Sequence, residues 1–309
     1  MGSSPTPPRR PILVRILFSP SERRFRAAWR LLLHTSLLFF LLLAFTLAIA
    51  VLTPSPSGPA SVSPLSDSPS LILASSLASL AAIALATWTA RRALDHRSFL
   101  SLGFRFDRYT LPDLAVGFLI AGPIMGLIFL FEWAMGWVRV DGWACQGGTQ
   151  LSTLLGLLSS MVLWISVGIQ EELLSRGYHL QNLADGLNLP WGLFLSSAIF
   201  GGLHLANPNA TWLAALGVMA SGYLLAFGWL RTRRLWLPIG LHIGWNFFEG
   251  TVFGFPVSGT GGFSLLRQTA AGPTLLTGGA FGPEAGLVVL PALALGAALL
   301  WAYTRRQLP

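Results

Sequence analysis

The feature that most constrains this chain is a series of apolar runs, each about as long as a bilayer is thick. Hydrophobic residues make up 53% of the 309 residues. A transmembrane helix needs roughly 20 consecutive, mostly apolar residues. We therefore predict an all-α fold, a polytopic membrane helical bundle with about eight transmembrane helices. The runs cover residues 31–52, 71–90, 114–138, 151–184, 191–206, 211–230, 235–255 and 286–303.

This pattern divides the chain into three segments. Residues 1–30 are a polar leader rich in proline and arginine, and we predict that it is cytoplasmic. Residues 31–150 contain the three N-terminal transmembrane helices. Residues 151–309 contain helices four to eight and most of the polar groups at membrane depth. No internal repeat is visible, which argues against a transporter built from inverted repeats.

The charges predict orientation rather than a nucleic-acid partner. All 20 basic residues are arginine, and most lie in short clusters beside the apolar runs, so the positive-inside rule explains the net charge of +8. Because a cluster follows every second run, we predict a multi-pass membrane protein with both termini cytoplasmic. The absence of lysine, together with abundant alanine, leucine, glycine and proline, suggests a bacterial genome, so the predicted location is the plasma membrane. The single cysteine, Cys145, excludes a disulfide within the chain and a cysteine-based metal site. The arginine clusters lie in residues 1–30, 91–108, 231–234 and 305–306 and at Arg176.

Two adjacent carboxylates and an arginine occur together in the fourth run. Only 10% of the residues are charged, so Glu171, Glu172 and Arg176 are unexpected in this stretch. Ionisable groups at membrane depth usually face the protein interior and indicate a functional site. On a helix Glu172 and Arg176 are four residues apart and can pair, whereas Glu171 points about 100° away. A salt bridge at the membrane surface is the alternative interpretation.

Two later runs carry histidines and an amide. His204 lies in the fifth run, and His242 and Asn246 lie one turn apart on one face of the seventh. A carboxylate can activate water, a histidine can orient it, and a histidine with an amide can stabilise an oxyanion. With the carboxylates of the fourth run, these residues predict hydrolysis by activated water. His204 and His242 would meet only if the fifth helix is tilted or begins deeper than Trp191.

Three other polar groups in the runs have simpler interpretations. His34, at the arginine-flanked end of the first run, is predicted to be interfacial. Glu132, near the far end of the third run, is predicted to be an interfacial carboxylate, with a cavity-lining position as the alternative. Glu249 extends the stripe formed by His242 and Asn246.

These motifs in this order resemble those of one protease family. The patterns Glu-Glu-x-x-x-Arg at 171–176, Phe-x-x-x-His at 200–204 and His-x-x-x-Asn at 242–246 are similar to those of the CPBP family. That family comprises type II CAAX prenyl endopeptidases and bacteriocin-processing (Abi) intramembrane proteases. Segment 272–284 also resembles segments of bacterial members. The resemblance covers about residues 151–286, so 151–309 is predicted to be the protease core.

The resemblance implies roles for the residues of the fourth and fifth runs. Glu171 would be the general base that activates water, and His204 would assist it. Glu172 and Arg176 would support the site structurally. The implied substrate is a membrane-associated peptide or protein.

The resemblance also implies an oxyanion hole formed by His242 and Asn246. The preferred mechanism uses no cofactor and no metal. In the alternative mechanism, Glu171, His204 and His242 hold Zn²⁺ with one open position. The chain has no His-Glu-x-x-His motif, and its two histidines lie 38 residues apart on different runs, which favours the metal-free mechanism.

The predicted function is therefore an intramembrane endopeptidase with a cavity that opens toward the cytoplasm. One alternative is a non-catalytic immunity or membrane-assembly factor of the same family. Another is a proton-coupled carrier that uses Glu171 and the histidines as a relay, although such a carrier would show repeats and helix breaks at the midplane. CAAX substrates need prenylation, which is not expected in bacteria, so the natural substrate stays open.

Overall fold

A computed structural model describes residues 12–19, 24–53, 68–305 and 307, and within them the polytopic helical bundle is confirmed. Among these residues, six helices are long and apolar enough to cross a membrane. The predicted leader and the predicted loop 53–70 lie partly outside the described residues, as does Arg306 of the last arginine cluster. The division of the chain into three segments stays a prediction.

All three predicted N-terminal spans are helical. The third span begins at Thr110 rather than at residue 114, so its first helical turn includes the polar residue Asp113. Part of the leader is also structured, as a short helix followed by a two-stranded hairpin. The elements of this half are α1 (Ile12–Leu17), β1 (Phe18–Ser19), β2 (Arg24–Phe25), α2 (Ala27–Leu52), α3 (Pro69–Ala93), α4 (Thr110–Ala134) and β3 (Val138–Trp143).

The five predicted C-terminal spans are also helical, and two of them contain π-helical segments. Helix four is one continuous run of 37 residues, from 150 to 186, interrupted by π-helix at Leu173–His179. A second π-helical segment, Phe247–Val252, continues α9. The elements are α5 (Gln150–Glu172), α6 (Leu180–Gly186), α7 (Leu189–Leu203), α8 (Trp212–Thr232), α9 (Trp236–Asn246), β4 (Leu266–Ala270), α10 (Thr274–Thr277) and α11 (Val289–Thr304).

The seventh span, α9, is the central helix of the bundle. Every residue from Leu237 to Asn246 is buried. It packs closely on α4 through glycine, since a Cβ atom on Gly240 would lie 2.2 Å from the Leu114 carbonyl oxygen. Small residues permit such approach where no hydrophobic force drives helices together. Because protein rather than lipid surrounds α9, its 11 α-helical residues suffice at this position.

Two short segments between the helices pair as strands. β3 and β4 form an antiparallel ladder in which Val138 lies opposite Ala270 and Trp143 opposite Leu266. The predicted loop 256–283 is therefore partly ordered by this ladder and by α10.

One end of the bundle carries most of the arginines, and we call it the arginine-rich face (residues 24–30, 94–110, 183–189, 231–236 and 304–307). Its segments are joined by polar contacts. Arg30 Nη1 lies 2.7 Å from Asp95 Oδ1, and the Leu235 amide donates to the Gly103 carbonyl oxygen at 3.0 Å. Arg234 Nη2 donates to Gln307 Oε1 at 2.7 Å, so the C-terminal end of α11 lies on this face as well.

The opposite end is the arginine-poor face (residues 138–150, 204–211 and 253–288). The β3–β4 ladder joins its first and last segments, and Asn207 Nδ2 donates to the Ser258 carbonyl oxygen at 3.0 Å. Two segments that lie on the same face of the bundle must be separated by an even number of helices that run from one face to the other. The four helical runs between β3 and β4 meet this condition, which agrees with the alternation of the arginine clusters.

Two predictions for isolated polar groups were wrong. His34 is fully buried rather than interfacial: its Nε2 lies 3.1 Å from Thr87 Oγ1, and its ring stacks on Tyr178 at 4.1 Å. This burial arises because α2, α3 and helix four meet there. Glu132 is also fully buried, since the chain folds back from the end of α4 into β3, and it lines no cavity that we find in the described residues.

The assignment of the arginine-rich face to the cytoplasm predicts a labelling pattern. Native Cys145 is exposed on the arginine-poor face, so a membrane-impermeant maleimide should label it in intact cells. In a Cys145→Ser background, a cysteine at exposed Ala93 should be labelled only after the membrane is permeabilised. Labelling of Ala93→Cys, or of cysteines in 231–234, in intact cells would show that the orientation is wrong.

Candidate active site

Helix four presents two adjacent carboxylates to different surroundings. Glu172 is fully buried, whereas 27% of the Glu171 side chain is exposed. The π-helical segment begins at Leu173, directly after this pair, and a second one begins at Phe247, directly after Asn246. Such π-helical turns are rare and often occur at functional sites. Helix four and α9, two of the three helical runs that carry predicted site residues, therefore change their helical geometry next to those residues.

His204 reaches Glu171 because helix four and α7 form an antiparallel hairpin. Helix four ends at Gly186 and α7 begins at Leu189. Glu171 lies 15 residues before that end, and His204 lies 15 residues after that beginning. At 1.5 Å per residue, both lie about 22 Å from the turn. Glu171 and His204 therefore lie at the same depth along the axis of the helical hairpin.

His242 reaches the same level because α9 begins deeper than α7. A Cβ atom on Gly177 would lie 3.4 Å from Leu235 Cδ1. Leu235, the residue directly before α9, therefore lies at the same depth in the bundle as Gly177 of helix four. Glu171 lies six residues before Gly177, and His242 lies seven residues after Leu235. We expected either a tilted fifth helix or a start deeper than Trp191. The second alternative is wrong, since α7 begins at Leu189 and the offset lies in the seventh span, whereas the tilt stays a prediction.

The two histidines converge on one carboxylate oxygen. Glu171 Oε2 lies 3.9 Å from His204 Nε2 and 3.7 Å from His242 Nε2. It makes no hydrogen bond within the described part of the chain. Both separations exceed the range of a direct hydrogen bond. A bridging water could donate to Glu171 Oε2 and to one of the two Nε2 atoms.

Hydrogen bonds on the far side of each ring indicate which nitrogen carries the proton. His204 Nδ1 lies 2.8 Å from the Phe200 carbonyl oxygen, and His242 Nδ1 lies 2.8 Å from Glu172 Oε1. A carbonyl or carboxylate oxygen can only accept, so each Nδ1 donates. The Nε2 atom of a neutral ring then offers a lone pair toward Glu171. His242 can also donate from Nε2 when it is protonated on both nitrogens.

Glu172 and Arg176 form the buried support of this arrangement. Arg176 Nη1 lies 2.7 Å from Glu172 Oε1, and Arg176 Nη2 donates to the Gly222 carbonyl oxygen at 3.0 Å. The guanidinium also lies over the Phe200 ring, 4.3 Å from its centroid. The oxygen of Glu172 that accepts from Arg176 also accepts from His242. The pair therefore connects four helices and fixes the His242 ring.

A cavity of about 190 Å³ lies beside Glu171. Its floor, toward the arginine-rich face, includes the buried Leu241, whereas Asn207, Ser258 and Thr260 form a partly exposed rim. These rim residues belong to the arginine-poor face. The cavity therefore opens toward the face opposite to the one that we assign to the cytoplasm, which differs from our expectation. The cause is that α7 ends at Leu203, directly before His204, so that only two residues separate His204 from Asn207 on the rim.

Part of the cavity wall consists of residues that were not predicted from the sequence. Asn246 lines the cavity as predicted, but Glu249 does not, because it lies one turn further along in the π-helical segment. Ser258 and Glu284 line the cavity, and the Ser258 hydroxyl donates to Glu284. The only signal for Glu284 was that it ends the segment 272–284. Its position depends on a fold-back of the last loop that no local pattern indicates.

The three candidate zinc ligands are slightly too far apart for a metal centre. Ligands of a tetrahedral zinc ion at ~2.1 Å would be ~3.4 Å apart, compared with 3.7 and 3.9 Å from Glu171 Oε2 to the two Nε2 atoms. In the residues that the structure describes, no group of three or more histidine, cysteine or acidic side chains has the geometry to hold a metal ion. The proposed mechanism therefore uses no metal ion, and the metal independence of the reaction stays a prediction.

A comparison with models of protein families finds a match in the region of the chain that contains the predicted site residues. Residues 153–248 match the family model for Rce1-like type II CAAX prenyl endopeptidases. The match covers about a third of the chain, and these residues are similar to that family. The resemblance that we inferred from the motifs is thereby confirmed, and the Rce1-like segment includes every predicted site residue from Glu171 to Asn246. No curated protein and no solved structure matches the chain.

The buried ion pair of the Rce1-like segment predicts a large effect on stability. Arg176→Ala leaves the Glu172 charge without its main partner, and breaking a buried pair typically costs about 3–5 kcal/mol. Arg139→Ala is the matched control, because the Arg139–Asp141 pair is exposed and such pairs contribute about 0–1 kcal/mol. Thermal melting in detergent should show a clearly lower Tm for Arg176→Ala only. Equal melting curves for the two variants would contradict a structural role of the pair.

Proposed function

We propose that this protein is an intramembrane endopeptidase in which Glu171 and His204 activate water for peptide hydrolysis. The observation that carries the proposal is the convergence of two histidine Nε2 atoms on Glu171 Oε2, within a cavity and with space for a water molecule. The match of the surrounding segment to an endopeptidase family supports the reaction class. The bilayer and a membrane-associated peptide or protein are the implied partners.

In the first step, the water between Glu171 and His204 attacks the carbonyl carbon of the scissile peptide bond. Glu171 Oε2 takes one proton from the water while the lone pair of His204 Nε2 accepts a hydrogen bond from the other. The proton on His204 Nδ1 stays on that nitrogen and remains hydrogen-bonded to the Phe200 carbonyl oxygen. The new C–O bond gives a tetrahedral intermediate with a negative charge on the former carbonyl oxygen.

His242 and Asn246 then stabilise this oxyanion. His242, protonated on both nitrogens and held through Nδ1 by Glu172, donates from Nε2 and keeps both protons, and the Asn246 amide donates beside it. Collapse of the intermediate breaks the C–N bond. Glu171 returns its proton to the leaving nitrogen, which restores the carboxylate and completes the cycle.

The first test of this function separates Glu171 from the other residues. Glu171→Gln keeps the shape of the side chain but cannot accept the proton, so turnover of a degenerate quenched peptide in detergent should vanish while the melting curve is kept. His204→Ala should be nearly as damaging, because the water loses its orienting partner. Asn246→Ala removes one oxyanion donor, and such donors contribute about 10²–10³ in kcat, so residual turnover should be measurable.

Glu132→Gln is the matched control, because Glu132 is buried but lies outside the cavity, and this variant should keep its turnover. Near-normal turnover by Glu171→Gln would contradict the assignment. A wild-type protein that binds peptides without cleaving them would favour the immunity or assembly factor. Membrane proteomics of cells carrying wild type or Glu171→Ala should reveal the natural substrate through altered termini.

The second test concerns the absence of a metal from the mechanism. Purified protein dialysed against a strong chelator should keep its peptidase activity, because Glu171 supplies the base and His242 with Asn246 supplies the electrostatic stabilisation. Metal analysis of the dialysed sample is the control. Loss of activity that one equivalent of Zn²⁺ restores would overturn this mechanism, and Glu171, His204 and His242 would then be assigned as ligands.

A further inference from the structure

The electrostatic character of the cavity is acidic. Its described lining residues include two carboxylates, Glu171 and Glu284, and two histidines, but no arginine or lysine. One of the carboxylates has an assigned role in the proposed reaction. Glu284 has none, although it is one of only 12 acidic residues in the chain. Its position in the wall therefore calls for a separate explanation.

The guanidinium closest in sequence to Glu171 is not available to a substrate. Arg176 is only 2% exposed, and it does not line the cavity. Its two terminal nitrogens are engaged by Glu172 and by the Gly222 carbonyl oxygen, and the Phe200 ring covers its face. A carboxylate that entered the cavity would thus find no cationic side chain other than a protonated histidine.

The position of Glu284 is fixed by its backbone and by its neighbour. It lies in the short helix Pro283–Ala285, and a Cβ atom on Gly217 of α8 would lie 1.8 Å from the Glu284 carbonyl oxygen, so the two backbones are in close contact. Its carboxylate accepts a hydrogen bond from the Ser258 hydroxyl. Ser258 is held in turn by Asn207 through its carbonyl oxygen. The carboxylate is therefore a fixed charge beside the partly exposed rim.

We propose that Glu284 is a specificity-determining residue, which makes the cavity select neutral or basic peptide segments over acidic segments and over free C-terminal carboxylates. The inference rests on the proposed peptidase function. A fixed carboxylate attracts a cationic residue of the peptide and repels an anionic one, and such like-charge repulsion discriminates between partners. The substrate class is thus an internal segment of a polypeptide, without acidic residues next to the scissile bond.

The test uses the full chain in detergent and quenched peptides that share degenerate flanks. The central residue is lysine, alanine or glutamate, and a second pair of peptides differs only in a free or amidated C-terminus. Wild type should show kcat/KM in the order lysine, alanine, glutamate, and should prefer the amide. We expect about tenfold between lysine and glutamate. Glu284→Gln should reduce this ratio to near one.

Two variants separate the charge of Glu284 from other effects. Ser258→Ala removes the hydrogen-bond donor but keeps the carboxylate, so the preference should persist if the protein folds. Asp141→Asn removes one exposed negative charge from the same face, outside the cavity, and should leave the ratio unchanged. The same ratio in wild type and Glu284→Gln, or a preference for glutamate or for the free carboxylate, would overturn the proposal.

Binding of the same peptides to Glu171→Gln, measured by fluorescence anisotropy, distinguishes the two proposals. A binding preference for lysine that disappears in Glu171→Gln/Glu284→Gln, without any hydrolysis by wild type, would support the role of Glu284 and contradict the peptidase function. Hydrolysis without a charge preference would support the peptidase and contradict the role of Glu284. Neither binding nor hydrolysis would contradict both.

Discussion

The geometry of the site depends on one buried ion pair, Glu172 with Arg176. Both side chains are almost completely buried, and a charge at such a position is costly unless it is paired and hydrogen-bonded. Each partner also makes a contact beyond the pair: Arg176 with Gly222 of α8 and Phe200 of α7, and Glu172 with His242 of α9. A pair that avoids the cost of isolated charges thus determines how four helices are oriented around the cavity.

The same arrangement explains why adjacent glutamates differ in chemistry. Glu172 uses one oxygen for both Arg176 and His242, so it is committed to holding its neighbours. Glu171 is rotated away on the helix, and its Oε2 has no hydrogen-bond partner in the described residues. It faces two ring nitrogens whose opposite sides are already engaged. One dipeptide thus supplies a fixed support and an available base, because its two side chains point in different directions.

The sequence was informative where the signals were local. Apolar length predicted the helices, and the rarity of charge drew attention to Glu171 and Glu172. The level of His204 was also available from the sequence, since Glu171 and His204 lie symmetrically about the turn that joins helix four to α7. Burial of His34 and the entry of Glu284 into the cavity were not predictable, because both depend on which distant segments pack together. The depth of His242 likewise depends on where α9 meets Gly177.

Hydrolysis at this depth also requires a supply of water. Of the two adjacent carboxylates only Glu171 is partly exposed, and it lines the cavity whose rim belongs to the arginine-poor face. The rim there carries an amide and two hydroxyl groups, from Asn207, Ser258 and Thr260. Such groups can hydrogen-bond water where lipid cannot. The floor beyond the histidines is closed by buried leucines, including Leu241, so the polar route ends at the base that would use the water.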